Sequence, residues 1–158
     1  MRYFLLDRVT AFERGKMAEA IKCVTLTDDV LHDHFPDNPI MPGALMVESA
    51  AQLASFLFEM SINTDHNTIR RSILAQINNA KFNHFVEPGD RIHLRAELMD
   101  ATDSSARARV HLEVEGKKIA SMTLTLVSRQ ILSQSVHQQR RQLYKLWTKG
   151  LKDIPEIL

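Results

Sequence analysis

Asp33-His34-Phe35-Pro36-Asp37-Asn38-Pro39-Ile40-Met41-Pro42-Gly43-Ala44-Leu45-Met46-Val47-Glu48 is the stretch on which the reading of this chain turns. Pro36, Pro39 and Pro42 each fix their own φ and push the residue before them toward extended geometry. His34 therefore sits in a stiff loop, expected over Leu31 to Gly43, that loses little entropy on ordering. Pro42-Gly43 then opens a helix, as proline's tolerance in the first turn allows. That helix is expected from about Gly43 to Met60. Ala44, Leu45, Met46, Val47, Ala50, Ala51, Leu53, Ala54, Phe56, Leu57 and Phe58 leave it almost no polar face, so it must be buried on most sides. Glu48 and Gln52 are four residues apart and share one face. They are expected to form the polar stripe at its centre.

Outward from that stretch, strands dominate. Met17, Ala18, Ala20, Ile21, Val24 and Leu26 alternate with polar residues and predict a strand over Lys16 to Thr27, after a turn at Glu13-Arg14-Gly15. Downstream, Arg70 to Phe82, Arg91 to Met99, Ala106 to Glu115 and Lys118 to Val127 read as four more strands. They are separated by turn signals at Glu87-Pro88-Gly89-Asp90, Asp100 to Ser105 and Gly116. The order is α+β, with sequential antiparallel pairing around one long helix. From Gln130 the composition changes. Leu132, Val136, Leu143, Leu146, Trp147 and Leu151 recur at helical spacing, so residues 130–158 are expected to be an amphipathic helical extension to a domain over residues 1–129.

Bulk properties narrow the function. The chain has 158 residues, 44% hydrophobic and 25% charged, which suits one globular domain and excludes a disordered chain. Cys23 is the one cysteine. It makes no internal disulfide, so a cytoplasmic location is expected, with Cys23 buried and inert. The Tyr3 to Leu6 run is too short for an export signal, and Pro42, Glu48 and Gln52 argue against a membrane span over Ile40 to Phe58. Net charge is +1, but residues 129–158 hold six basic residues against two acidic ones. A basic tail can meet an acidic partner, although a solvated helix face explains it more simply. His32 and His34 form an H-x-H pair without further ligands at metal spacing, so no metal is expected. Without a glycine-rich phosphate loop no cofactor is expected, and nothing marks nucleic-acid binding.

The quoted stretch resembles the active-site motif of FabZ-type (3R)-hydroxyacyl-acyl carrier protein dehydratases. The likeness lies in His34-Phe35-Pro36, Pro39, Met41-Pro42-Gly43-Ala44-Leu45, Glu48 and Ala51-Gln52. Tyr3 to Val9 is similar to that family's first strand, and Lys81-Phe82, Val86 and Pro88-Gly89-Asp90 to its later strand and turn. The resemblance spans about residues 3–128. It implies a hot-dog fold, in which a curved antiparallel sheet wraps a long central helix. It also implies a homodimer or larger homo-oligomer, with sites shared between subunits, and an acidic acyl carrier protein as partner. A heteromeric partner in a specialised polyene or polyketide pathway fits the same resemblance. Asp33 and Asp37 stand where the family usually has glycine, and Asn83 and Phe85 where it has arginine and proline.

The chemistry expected follows from the residue types. Dehydrating a 3-hydroxyacyl thioester needs a base for C2, a donor for the carbonyl oxygen and a group at the C3 hydroxyl. His34 is the candidate base and Glu48 the candidate at C3. Backbone N–H groups at Gly43 are the candidate oxyanion donors, and Gln52 orients Glu48. Met46, Phe56 and Phe82 are candidates to line an acyl tunnel. Arg70, Arg71, Lys81 and Arg129 are candidates to dock a carrier protein. A thioesterase on the same fold and a non-catalytic acyl-binding subunit are the alternatives.

Overall fold

The structure is a computed structural model and describes residues 3–158. The elements are β1 (Arg8–Glu13), β2 (Met17–Cys23), α1 (Val30–Asp33), α2 (Gly43–Ile62), β3 (Arg70–Phe82), β4 (Arg91–Ala101), β5 (Ser105–Val114), β6 (Lys117–Gln130) and α3 (Gln134–Trp147). One six-stranded sheet runs in the order β1-β2-β4-β5-β6-β3. Every pairing is antiparallel. The expected sequential pairing holds only in part: β2 pairs with β4 and β3 with β6, because α2 lies between β2 and β3 and the chain leaves it to add β3 at the far edge. Strand alternation sets its inner face. Ile92, Leu94 and Ala96 of β4, Ala106, Ala108, Val110 and Leu112 of β5, and Ala120, Met122, Leu124 and Leu126 of β6 are all buried. They pack on α2, whose Met46, Ala50, Leu53, Ala54, Leu57 and Phe58 are buried in the same core. This is the helix-in-sheet arrangement of the hot-dog fold. The β5–β6 hairpin closes on Glu115 and Gly116, both at positive φ (50° and 77°). That is the two-residue turn geometry that matches strand twist.

Several local expectations need correction. The first strand begins at Arg8, not Tyr3. The Leu5 N–H donates to Gln52 Oε1 (2.9 Å) and the Tyr3 carbonyl accepts from Gln52 Nε2 (2.9 Å), so a helix side chain takes the backbone groups that a ladder would use. β2 ends at Cys23 because the Asp28 carboxylate captures the Thr25 N–H and turns the chain. The His34 loop is preceded by one helical turn, Val30–Asp33, with Leu31 buried beneath it. Cys23 is exposed rather than buried; it lies at the very end of its strand.

The C-terminal helix joins the same core. Leu143, Tyr144 and Trp147 are buried, whereas Leu132 and Leu146 are exposed. The buried face is thus rotated toward Tyr144, which the apolar periodicity alone did not single out. Phe56 of α2 is the anchor. Its ring meets Phe12 (5.7 Å), Tyr144 (4.9 Å) and Trp147 (6.5 Å) edge-on, the favoured aromatic geometry.

A buried ion cluster fixes this corner. Glu59 of α2 is 1% exposed and Arg71 of β3 is 2% exposed. Glu59 Oε2 accepts from Arg71 Nη1 (3.1 Å), and Oε1 accepts from the Ser72 N–H (2.9 Å). Arg71 Nε–H donates to His137 Nδ1 (3.1 Å), and Nη2 to the Leu158 carbonyl (3.2 Å). Arg140 adds a second cation at 3.9 Å from Glu59. Burial, reinforced by the Glu59 charge, raises the Tyr144 phenol well above its ordinary pKa, so it stays neutral there. Arg71 is therefore a structural cation and not a docking residue. Arg70 is partly tied to Ser128 (2.8 Å), while Lys81 and Arg129 are exposed.

Removing one partner of such a pair strands the other charge in the interior. Glu59→Leu is expected to lower unfolding free energy by about 3–5 kcal/mol in urea titrations, and the double variant Glu59→Leu/Arg71→Met to recover most of that loss.

Candidate active site

The His34 loop is closed by its own backbone. The Ile40 N–H donates to the His34 carbonyl (2.8 Å), while Phe35 and Asn38 exchange N–H···O bonds (3.2 and 3.0 Å). The Met41 N–H donates to the Val86 carbonyl (2.8 Å), which anchors the loop to the segment after β3. Within this frame His34 Nδ1 lies 2.9 Å from the Ile40 carbonyl oxygen. A carbonyl only accepts, so Nδ1 carries the hydrogen in neutral imidazole and Nε2 keeps its lone pair. The ring is half-buried and stacks on Phe35 at 4.4 Å. Asp33 and Asp37 are exposed on either side of the loop.

Glu48 is half-buried in the second turn of α2. Its Oε1 accepts from Gln52 Nε2 at 2.9 Å, the i, i+4 contact expected from spacing. Gln52 is fully engaged. It also holds the Tyr3 carbonyl and the Leu5 N–H, so it locks the N-terminal segment and the Glu48 carboxylate to one point. That second duty was not visible in the sequence, since nothing in the Tyr3 to Leu6 pattern names a helix glutamine as its partner.

The start of α2 is uncapped by any side chain. Leu45 and Met46 donate to the Pro42 carbonyl (3.0 and 3.3 Å). Among the described residues the N–H groups of Gly43 and Ala44 have no partner, as the first turn of a helix dictates. They are a ready site for a developing negative charge. Gly43 has a further reason to be glycine. A Cβ there would lie 3.2 Å from two ring carbons of Phe82, so the missing side chain makes room for that ring. Phe82 thus borders the helix start, whereas Phe56 and Met46 are core residues.

Within one chain, the structure joins Glu48 to Gln52 but does not join His34 to Glu48. Among the described residues they share no hydrogen bond, and His34 is held instead by Ile40. No group of three or more His, Cys, Asp or Glu side chains among the described residues is placed to hold a metal ion. One feature escaped the sequence reading. Glu59 extends the Glu48–Gln52 stripe along the same face, since the eleven residues from Glu48 to Glu59 bring a helix back to within about 20°. Phe85 projects at 73% exposure from the segment that meets Met41.

The fold and this site define a hot-dog protein with a histidine loop set against a carboxylate-bearing central helix. Residues 1–123 match the FabA-like domain family, and the chain belongs to that family. It is 37% identical over 134 residues to the 3-hydroxyacyl-[acyl-carrier-protein] dehydratase FabZ of Thioalkalivibrio sulfidiphilus, covering 83% of this chain and 90% of that one. It is 34% identical to the Bacillus subtilis protein of the same name, over 78% of this chain and 85% of the relative. Among solved structures, a mutant thioesterase from Pseudomonas aeruginosa superposes with a TM-score of 0.63. The two share 18% sequence identity, and the match covers 78% of this chain and 81% of that one. At that identity the likeness is one of fold.

Gly43→Ala brings a Cβ to 3.2 Å from the partly exposed Phe82 ring, which is expected to shift aside. The net change in stability is expected to stay within about 1 kcal/mol, because alanine's better helix propensity offsets the contact. Thermal unfolding checks this.

Proposed function

We infer that this protein is an enzyme, a 3-hydroxyacyl-acyl carrier protein dehydratase of fatty-acid biosynthesis. It converts the 3-hydroxyacyl thioester to the trans-2-enoyl thioester and water. The observation that carries the reading is the pairing of two free N–H groups at the start of α2 with a carboxylate one turn further on. Gly43 and Ala44 have unpartnered N–H groups, and Gln52 fixes Glu48. Relatives 34–37% identical over most of the chain support the same activity.

The steps follow from the groups present. The N–H groups of Gly43 and Ala44 hold the thioester oxygen as negative charge builds on it. His34 Nε2, left free by the Nδ1–Ile40 bond, takes the proton from C2. The electron pair of the broken C2–H bond forms the C2=C3 double bond. The C3–O bond breaks, and the hydroxyl, hydrogen-bonded to Glu48, takes the proton that His34 Nε2 removed from C2 and leaves as water, which returns His34 to its neutral form. Gln52 keeps Glu48 aimed at C3.

The complete site is shared by two copies, with His34 of one protomer facing the partner's Glu48. The open edge of the sheet supports this. β3 is the terminal strand, its residues from Gln76 to Phe82 are exposed, and Ile73 and Ile77 present apolar side chains there. Such an edge is a template for pairing with a second copy. Lys81 and Arg129 are the exposed cations that would meet an acidic carrier protein, in the cytoplasm, where the exposed thiol of Cys23 stays reduced.

The test is incubation with 3-hydroxyacyl carrier protein while enoyl product and free thiol are followed. Enoyl product supports the dehydratase, and thiol release without it moves the assignment to a thioesterase. His34→Ala and Glu48→Gln are each expected to lower dehydration by at least about 10²-fold with unchanged thermal unfolding.

A further inference from the structure

The far end of α2 borders a cavity that the candidate active site does not use. It has a volume of about 660 Å³ and lies between the loop after α2, the segment that leaves β6 and the first two turns of α3. α2 is twenty residues long, so Gly43 at its other end is roughly 30 Å away. No aspartate or glutamate lines the cavity, and Arg141 is the one lining residue with a permanent charge.

Arg141 stands apart from its neighbours. Arg70 donates to Ser128 (2.8 Å), Arg71 donates to Glu59 (3.1 Å), and Arg140 lies 3.9 Å from Glu59. Among the described residues Arg141 has no hydrogen bond and no ion pair, and its Nε is buried without a partner. A guanidinium carries five N–H donors in a planar fork and keeps its proton. A buried donor left unanswered is costly, so this position calls for an acceptor. The rest of the lining supplies more donors. Asn67, Gln130, Gln134 and Gln138 bring side-chain amides to the same cavity, and each amide offers two N–H groups. His137 lines it too but is committed, since Nδ1 accepts from Arg71 (3.1 Å) and Nε2 donates to the Ile131 carbonyl (2.6 Å). Lys145, one turn beyond Arg141 on α3, is exposed and adds to the positive field. Glu156 meets His66 Nε2 at 3.6 Å but does not line the cavity.

We propose that this cavity binds a phosphate-class anion, with Arg141 as its charged anchor and the amides of Gln130, Gln134 and Gln138 as supporting donors. A guanidinium fork meets two oxygens of one anion. The neutral amides then have oxygens left to bond only if the anion is tetrahedral, because a carboxylate's two oxygens are already taken by the fork. The cavity is larger than a bare phosphate and leaves room for the organic part of a phosphate monoester. Arg141 and its helix lie outside residues 1–123, where the family match ends. The site therefore belongs to an element added to the common fold, and it stands whether or not the dehydratase reading does.

The test is calorimetric titration of the full-length protein with inorganic phosphate, adenosine 5′-monophosphate and adenosine, at low ionic strength so that the charge is little screened. Phosphate is expected to bind once per chain with a Kd on the order of 1 mM, and adenosine not to bind. Tighter binding of the monophosphate than of phosphate identifies a phosphate monoester as the occupant, and equal binding identifies the free anion; either upholds the site. Arg141→Gln is expected to weaken both phosphate ligands at least about tenfold. Lys152→Gln removes one exposed charge outside the cavity and is expected to leave binding within about twofold. Without ligand, Arg141→Gln is expected to keep its thermal midpoint within about 2 °C of the unaltered protein, since no bond within the chain is lost. A clearly lower midpoint would make Arg141 a structural residue and overturn the proposal. So would no phosphate binding up to about 20 mM, equal loss in both variants, or adenosine binding as tightly as its monophosphate.

Discussion

α2 is apolar on nearly every side, and the rest of the protein is arranged to keep water from it. A twenty-residue helix of this composition has no solvated face on which to rest. The sheet covers one side with the inward residues of β4, β5 and β6. The Tyr3 to Leu6 segment and α3 cover part of the other. Apart from its serines, what remains polar on α2 is a stripe at Glu48, Gln52 and Glu59, and each of these decides a separate matter. Glu48 is available for chemistry, Gln52 staples the N-terminal segment, and Glu59 anchors β3 and α3 through Arg71 and Arg140.

The same arrangement holds the two candidate catalytic side chains in place. His34 is held through its ring by Ile40, in a loop whose ends bond to each other. Glu48 is held by an amide whose remaining atoms are occupied by backbone. Neither side chain has to be ordered when substrate arrives, which is the condition for effective positioning.

Much of this was legible before any coordinates. The proline-spaced loop, the apolar helix and the alternating strands each carry strong local patterns, and their order implied a single sheet around α2. The Glu48–Gln52 contact followed from helical periodicity alone. The rest depended on long-range partners that no local pattern encodes. Tyr3 to Leu6 reads as a strand, yet Gln52, far along the chain, takes its hydrogen bonds. Arg71 reads as a surface cation, yet Glu59 draws it inside. Tyr144 is buried where the apolar count on α3 favoured Leu146, because the Phe56 ring and the Glu59 cluster lie beneath it. Periodicity identifies which face is apolar, but only the packed partner shows which borderline residue is drawn in.

Among the described residues His34 and Glu48 of one chain share no hydrogen bond, and subunit sharing is the central claim. Mixing His34→Ala protein with Glu48→Gln protein, under conditions that exchange subunits, tests it directly. In a mixed dimer one of the two sites regains both groups. Two inactive preparations are then expected to recover about a quarter of the unaltered turnover. Mixed dimers that form, as seen by native mass measurement, yet stay inactive would contradict a site built from two copies.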